Sequence, residues 1–161
     1  LNYLIQTLGA TGIRVSELRF ITVAAVRRGI VDISMKGKER TIIIPRALCV
    51  LLKKYIGEQK IKKGPLFITR SGRPVDRSNV HHALKKLCTK AKVDPQKVFP
   101  HNFRHLFARC FYAVHKDIGR LADLLGHSSI ETTRIYIAVS SQRFDKIFLK
   151  MKMIDQSAQG L

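Results

Sequence analysis

The feature that most constrains the fold is a single change in the spacing of apolar residues near the start of the chain. Just after residue 29, apolar side chains recur at every second position, at Val31, Ile33 and Met35, which is the period of a strand with one buried face. A polar segment, 36–39, predicts a turn, and the β-branched run 41–44 predicts the returning strand. The sequence therefore predicts one antiparallel hairpin with a basic tip.

Elsewhere the apolar residues recur at helical spacing. The predicted helices lie around residues 1–8 (ending near Gly9), 15–20, 46–57, 80–87 (with Leu87 on the apolar face), 103–114 (with Val114 on the apolar face), 118–125, 129–138 and 143–152. One more short strand is predicted at 66–69. We therefore expect an α+β fold, mostly helical, with a small antiparallel β-sheet near the N-terminal part. Residues 1–161 are expected to form a single domain, with 140–153 as a C-terminal amphipathic helix.

The charge of the chain points to a polyanionic partner. Thirty Lys and Arg against 11 Asp and Glu give a formal net charge of +19. So large a surplus repels itself in the folded state, and neutralising phosphates releases counterions, so nucleic acid is the first candidate. An anionic membrane surface is the competing interpretation. It is disfavoured because the basic residues spread along the whole chain instead of one face of one helix.

The cysteines and the chain start bear on location. Cys49, Cys88 and Cys110 are odd in number and none lies in a Cys-x-x-Cys pair, which predicts reduced thiols in a cytoplasmic protein. The uncharged segment 1–13 is too short to span a bilayer and lacks the basic start of a secretory signal. Because the chain begins without Met and inside a predicted helix, we expect it to be a fragment of a longer protein.

Three short segments concentrate side chains suited to phosphate chemistry. They are Thr11-Gly12-Ile13-Arg14-Val15-Ser16-Glu17-Leu18, Pro100-His101-Asn102-Phe103-Arg104-His105 and Leu125-Gly126-His127-Ser128, with Tyr136 nine residues beyond His127. Together they resemble the tyrosine recombinase (phage integrase) family, whose pattern is Arg…Lys…His-x-x-Arg…His/Trp…Tyr. The resemblance extends from Gly9 to about Met151, and the segments occur in the family's order.

The residues themselves support an anion site. In the helix beginning near His101, the side chains of His101 and His105 point away from the apolar stripe, and Arg104 lies at its border. Taken alone, such a pattern is more typical of a solvated polar face. Arg14 lies near a predicted helix start, where a guanidinium can grip two phosphate oxygens. The ordinary alternative is an ion pair with Glu17, three residues away, and both can hold.

The resemblance implies a role for each motif residue. Arg14 and Arg104 would clamp the phosphate, His127 would donate to a nonbridging oxygen, and Tyr136 would be the nucleophile. An isolated phenol with a pKa of about 10 is ionised about once per thousand molecules at pH 7, a deficit of about 4 kcal/mol, and surrounding cations offset it. His101 would either assist proton transfer at the Tyr136 oxygen or orient the phosphate. The alternative for His127 is a cation at a helix C-terminus.

The leaving 5′ oxygen needs a proton, and the hairpin tip offers Lys36 and Lys38. Similarity to the family's Gly-Lys-Gly-x-Lys pattern assigns the general acid to Lys36, immediately before Gly37. Lys38 is interpreted as a solvated turn lysine. This hairpin is one residue shorter than in common members of the family.

The resemblance implies a site-specific DNA recombinase or integrase domain that cleaves and rejoins strands through a 3′-phosphotyrosyl intermediate. No cofactor and no metal are expected, because the acidic residues form no carboxylate cluster suited to a two-metal nuclease. The expected partner is double-stranded DNA, with self-association as a tetramer in the full-length protein and no membrane. Two alternatives are a type IB topoisomerase-like nicking and closing enzyme and a noncatalytic basic DNA-binding module that retains the fold. The final helix is expected to dock in cis or on a neighbouring protomer.

Overall fold

A computed structural model describes residues 1–35 and 37–138, without the side chains of Lys38 and Ala138. These residues form α1 (Asn2–Thr11), α2 (Val23–Arg28), β1 (Ile30–Met35), β2 (Lys38–Ile43), α3 (Arg46–Glu58), α4 (Arg77–Lys90), α5 (Pro100–His115), α6 (Ile118–Leu125) and α7 (Ile130–Ala138), with 3-10 helices at Val15–Phe20 and Pro95–Lys97. The α+β prediction, mostly helical with a small sheet, is confirmed. The predicted C-terminal helix, 140–153, lies outside the described residues, and the single-domain assignment stays a prediction.

The hairpin is confirmed, with a tighter turn than predicted. β1 and β2 pair antiparallel from Ile30 opposite Ile43 to Met35 opposite Lys38, so β2 begins at Lys38 and not at residue 41. Gly37, directly before β2, has a φ of 72°. Tight hairpin turns favour positive φ, which glycine adopts without strain.

The first helix extends past Gly9, so its predicted end is wrong. Gly9 is buried inside α1, and the helix closes instead at Gly12, whose φ of 62° turns the chain and whose N–H donates to the Leu8 carbonyl. A single glycine costs a helix about 1 kcal/mol, which tertiary packing outweighs. The helix ends at Gly12, where the left-handed φ turns the chain away from the helix axis.

Two elements near the hairpin differ from prediction. Helix α2 was not predicted, although it is capped by the Thr22 hydroxyl, which accepts from the Ala25 N–H at 3.1 Å, and closes at Gly29. The predicted strand at 66–69 is wrong, because this part of the chain makes only isolated bridges, Thr22 to Pro65 and Ile68 to Pro74. Proline lacks the N–H that would continue a ladder on either side.

The predicted faces of α4 and α5 need correction. Leu87 and Val114 are exposed (42% and 76%), so both are wrongly assigned to the apolar face. In α4 the buried thiol of Cys88 follows Leu84 by four residues. Helix α5 contacts α1, α4, α6 and α7, so its fully buried face lies between helices and includes Arg104 and Ala108. A charged side chain thus occupies a core position.

Two hydrophobic clusters position the site. The larger is formed mainly by the hairpin and helices α1 to α4, and the smaller joins Ala108, Leu121, Leu125 and Tyr136 from α5, α6 and α7. Helices α6 and α7 confirm the predicted spans, and α6 closes at Gly126 with a φ of 63°. Arg104 lies where the C-terminal end of α6 meets the turn after α1.

Candidate active site

Arg104 is the buried centre of the candidate site. Its side chain is 2% exposed. Nη1 donates to the Gly12 carbonyl at 2.7 Å, and Nη2 donates to the Leu125 carbonyl and lies 3.1 Å from His127 Nε2. Burial, with Arg14 and Arg40 nearby, lowers the pKa of Arg104 to about 10, so it remains a cation at pH 7. Within the described part of the chain, its buried Nε has no hydrogen-bond partner, which is uncommon for a buried polar group.

Arg14 is braced by Glu17, as predicted. Arg14 Nη1 donates to Glu17 Oε1 at 2.9 Å, and the Arg14 backbone N–H donates to Glu17 Oε2 at 2.8 Å. Nη2 reaches across the fold to the Gly126 carbonyl at 3.3 Å. The Arg14 side chain is 41% exposed whereas that of Glu17 is 3% exposed. The carboxylate is thus a buried support for a guanidinium that remains accessible.

His127 follows Gly126 at the end of α6 and is a neutral ring. Its Nε2 lies against Arg104, which has only N–H groups to offer, so Nε2 accepts and the ring proton resides on Nδ1. That proton points to the Thr133 hydroxyl at 2.9 Å. Burial, followed by the charges of Arg104 and Arg14, lowers the pKa of His127 to about 4. The ring nitrogens of His127 thus contact Arg104 and Thr133, and no hydrogen bond from the ring to the last carbonyls of α6 is seen within the described residues.

Tyr136, on α7, lies in a pocket of histidines. It is 9% exposed, and its hydroxyl lies 2.9 Å from His101 Nε2. The His105 ring stacks on the phenol at 4.1 Å between centroids and 27° between planes, and the His127 ring lies 4.9 Å away. Burial and the neighbouring Arg104 lower the pKa of His101, and burial lowers the pKa of His105 to about 4. Neutral imidazoles can accept a phenol proton.

Five predicted residues therefore meet in one region. They lie on the turn after α1 (Arg14), on α5 (His101 and Arg104), just after α6 (His127) and on α7 (Tyr136). Lys36 lies outside the described residues, and so does the side chain of Lys38.

Sequence reasoning missed three contributors to the site. Arg40, on β2, also donates to Glu17, Thr133 partners His127, and the stacking of His105 on Tyr136 was not foreseen. His105 could have been found from its helical position beside Arg104. Arg40 carried no local signal, because its partners are distant along the chain, and Thr133 lies only six residues from His127 but belongs to no motif.

Beside the site is a cleft of about 910 Å³, lined by Arg14, Arg40 and His127 and also by three carboxylates, those of Glu17, Glu39 and Asp123. Arginines that are partly desolvated and held by fixed partners form a preorganised anion site. No three His, Cys, Asp or Glu in residues 1–35 and 37–138 are grouped so as to hold a metal ion. None of the helices described is long and apolar enough to cross a membrane.

Three arginines fixed at the end of α6 and a tyrosine surrounded by histidine rings, on this arrangement of helices around one hairpin, fit the catalytic domain of a tyrosine recombinase. The chain belongs to the phage integrase family, whose model matches residues 1–143. Tyrosine recombinase XerD of Xanthomonas campestris pv. campestris is 32% identical over 159 residues, which cover 89% of this chain and 49% of that relative. The chain thus spans about half the length of the curated relatives that it matches.

Solved structures agree with this assignment. The crystal structure of XerA recombinase matches with a TM-score of 0.76 and 26% identity, over 92% of this chain and 56% of that one. The catalytic domain of bacteriophage HP1 integrase matches with a TM-score of 0.62 and 25% identity, over 98% of this chain and 84% of that one. The family resemblance and the fold expected from it are therefore confirmed.

Proposed function

We propose that this chain is the catalytic domain of a site-specific DNA recombinase. The Tyr136 oxygen attacks a phosphodiester, a phosphorus–oxygen bond to Tyr136 forms, and the bond to the 5′ oxygen breaks. The products are a 3′-phosphotyrosyl ester and a free 5′ hydroxyl. Attack by the 5′ hydroxyl of a second strand reverses these steps, so the number of phosphodiester bonds is conserved and no energy source is consumed.

The observation that carries this proposal is the contact of 2.9 Å between the Tyr136 hydroxyl and His101 Nε2. Any buried hydroxyl needs a hydrogen-bond partner, but a nucleophile needs a partner that can also take up its proton. Burial and the charge of Arg104 lower the pKa of His101, which favours the neutral ring, whose lone pair can take the phenol proton. The first of its two predicted roles, proton transfer at the Tyr136 oxygen, is therefore the one we adopt.

The arginines supply the charge that the reaction needs. In our proposal Arg14 binds one nonbridging oxygen, and Arg104 binds a second through the Nε that has no partner within the described residues. Both cations remain in place as negative charge builds on the phosphorane, where fixed donors in a site of low dielectric act most strongly. The phosphate contact of His127 requires a change in its present bonds, since Arg104 and Thr133 occupy both ring nitrogens.

The remaining roles rest on the chain's own lysines and charge. We propose Lys36 as the general acid that protonates the leaving 5′ oxygen. The net charge of +19 supports double-stranded DNA as the partner. With that partner we propose a location at the bacterial nucleoid. Tetrameric self-association on DNA is proposed for a longer protein that contains this domain.

A covalent-trapping experiment tests the proposed function without a known target. The 161-residue chain is incubated with a pool of nicked duplexes of random sequence, in which the nick lets the downstream fragment diffuse away after cleavage. Adducts that survive denaturing electrophoresis are recovered, and their DNA is sequenced. The selected duplex then serves as the substrate for all variants.

We expect an adduct with the wild-type chain and none with Tyr136→Phe. Tyr112→Phe is the matched control, because Tyr112 lies on α5, is half-buried and has no place in the proposed site. It should form the adduct at the wild-type rate. An adduct of undiminished yield with Tyr136→Phe, or DNA binding by the wild-type chain with no adduct at any salt concentration, would favour a noncatalytic DNA-binding module.

A further inference from the structure

Three guanidinium groups meet the last carbonyls of α6, one on each. Arg40 Nη1 donates to the Leu124 carbonyl at 3.2 Å, Arg104 Nη2 to the Leu125 carbonyl, and Arg14 Nη2 to the Gly126 carbonyl at 3.3 Å. The C-terminal carbonyls of a helix lack partners within the helix and carry its partial negative charge. The end of α6 is therefore a common anchor for arginines from three separate parts of the chain.

Arg40 differs from the other two because it also pairs with the buried carboxylate of Glu17. Arg40 Nη2 donates to Glu17 Oε2 at 2.6 Å, and the Arg40 side chain is 11% exposed. The same oxygen accepts the backbone N–H of Arg14, and the other oxygen accepts Arg14 Nη1. One carboxylate thus fixes two arginines, and the position of Arg40 helps to determine where the Arg14 guanidinium lies.

The fold makes room for Arg40 at Gly126. A Cβ at Gly126 would lie 2.7 Å from Arg40 Nη1 and 2.8 Å from its Cδ. The guanidinium therefore passes directly against the backbone that turns into His127. Since Arg40 is on β2, opposite Ile33 in the sheet, this contact joins the hairpin to the end of α6.

Burial of this third cation is unfavourable for stability alone. Burial and the charge of Arg14 lower the pKa of Arg40, against the favourable effect of Glu17. Its Nε has no hydrogen-bond partner within the described residues. Groups held in such unfavourable surroundings are concentrated at functional sites.

We propose that Arg40 is a positioning residue for strand cleavage, holding Arg14 through Glu17 and the Gly126–His127 turn through the Leu124 carbonyl. The proposal rests on the proposed function and adds a residue outside the predicted set. Arg40 does not contact the phosphate in this account. It fixes the relative position of the hairpin, Arg14 and His127 before DNA binds.

The test separates positioning from DNA binding. Adduct formation by the wild-type chain, Arg40→Met and Arg40→Lys is measured in single turnover on the selected duplex at saturating protein, and the Kd is measured separately. We expect Arg40→Met to form the adduct about 10- to 100-fold more slowly, since displacements near 1 Å have effects of that size. The Kd should change less than about 3-fold, because a residue that does not touch DNA contributes little to affinity. Arg40→Lys keeps the charge but cannot bind both acceptors, so its rate of adduct formation should lie between those of the wild-type chain and Arg40→Met.

Arg28→Met is the matched control. Arg28 also pairs with a carboxylate of the hairpin, Asp32, but both are more than half exposed, so its rate should equal that of the wild-type chain. A second comparison uses Glu17→Gln. If Arg40 acts through Glu17, the double variant Glu17→Gln/Arg40→Lys should form the adduct at most about 3-fold more slowly than the slower of its two single variants.

Several results would overturn the proposal. One is a rate for Arg40→Met within twofold of wild type, and another is a Kd that rises in parallel with the loss of rate, which would make Arg40 a direct DNA contact. Multiplying effects of Glu17→Gln and Arg40→Lys would overturn the part of the proposal in which Arg40 positions Arg14 through Glu17. If Arg40→Met does not fold, the Arg40→Lys rate and its combination with Glu17→Gln decide the matter. Failure of the wild-type chain to form any adduct would instead remove the proposed function.

Discussion

Gly12 allows the turn after α1 to approach α5, and replacing Gly12 offers a quantitative test of that packing. Its φ is 62°, and a Cβ built there would lie 2.4 Å from Phe107 Cδ1 and 2.8 Å from Phe107 Cγ. Real Cβ atoms do not approach a ring carbon so closely, so either the ring or the turn must move. Because the Gly12 carbonyl also accepts from Arg104, a shift of the turn disturbs the candidate site.

The expected effect of Gly12→Ala has two parts. Placing Ala in the left-handed region costs about 1–2 kcal/mol, and overpacking against the partly buried Phe107 ring adds about 1–3 kcal/mol. We therefore expect a loss of about 2–5 kcal/mol in the free energy of unfolding. Gly72→Ala is the control, since Gly72 has a φ of 77° and nothing within 4 Å of a built Cβ. Gly72→Ala should lose only the about 1–2 kcal/mol that the left-handed φ costs.

Urea unfolding followed by far-UV circular dichroism measures both variants. The quantity of interest is the difference between them, for which overpacking predicts about 1–3 kcal/mol. Adding Phe107→Leu to Gly12→Ala should recover part of it, because the smaller side chain can withdraw. Equal stabilities of Gly12→Ala and Gly72→Ala would refute the reasoning that the turn and Phe107 are in close contact.

Three further predictions concern the histidines and Arg104. Arg104→Lys keeps the charge but loses the fork that reaches two carbonyls, so adduct formation should fall at least about 100-fold with a nearly unchanged Kd; a parallel rise in Kd would argue against a clamp. His105→Ala should slow adduct formation and lower stability by about 1 kcal/mol through loss of the stacked ring, whereas His105→Phe should restore the stability; equal stabilities of the two variants would exclude a role for stacking. Folding lowers the pKa values of His105 and His127 to about 4. Their contribution to the free energy of unfolding is therefore present above the unfolded pKa of about 6.5 and is lost as the pH falls from there through 4. For half-exposed rings we expect a contribution of about 1 kcal/mol each. Urea unfolding at pH 7 and pH 4.5 of the wild-type chain and of the double variant His105→Phe/His127→Asn should show the smaller acid loss in the variant.

Much of the fold could be predicted because its signals are local. The alternation around Val31 and Ile33 marks a strand wherever it occurs, and glycine at 126 ends a helix through its own backbone freedom. The strand predicted at 66–69 failed for the opposite reason. An apolar run indicates burial but not pairing, and the prolines at 65 and 74 deny the segment a continuous ladder.

The residues of the candidate site likewise divide into those with a local sequence signal and those without one. Arg14, Arg104, His127 and Tyr136 belong to motifs whose order along the chain identifies them. Arg40 looks like any other basic residue of a highly basic chain, because its significance comes from a carboxylate 23 positions away and a carbonyl 84 positions away.

Orientation is harder still to predict. The helical position of Arg104 at the border of an apolar stripe does not reveal that the side chain is nearly fully buried. That depends on α1, α6 and α7 closing around α5. Likewise, only the folded chain shows that both nitrogens of His127 are in use.

Direct identification of the residue joined to DNA tests the central claim, which is that Tyr136 is the nucleophile. The trapped adduct is digested with nuclease and trypsin, and the nucleotide-bearing peptide is sequenced by mass spectrometry. Cleavage after Arg134 and Arg143 releases residues 135–143, whose one tyrosine is Tyr136. We predict a nucleotide linked through its 3′ phosphate to that tyrosine; a nucleotide on any other residue, or one linked through a 5′ phosphate, would contradict the account.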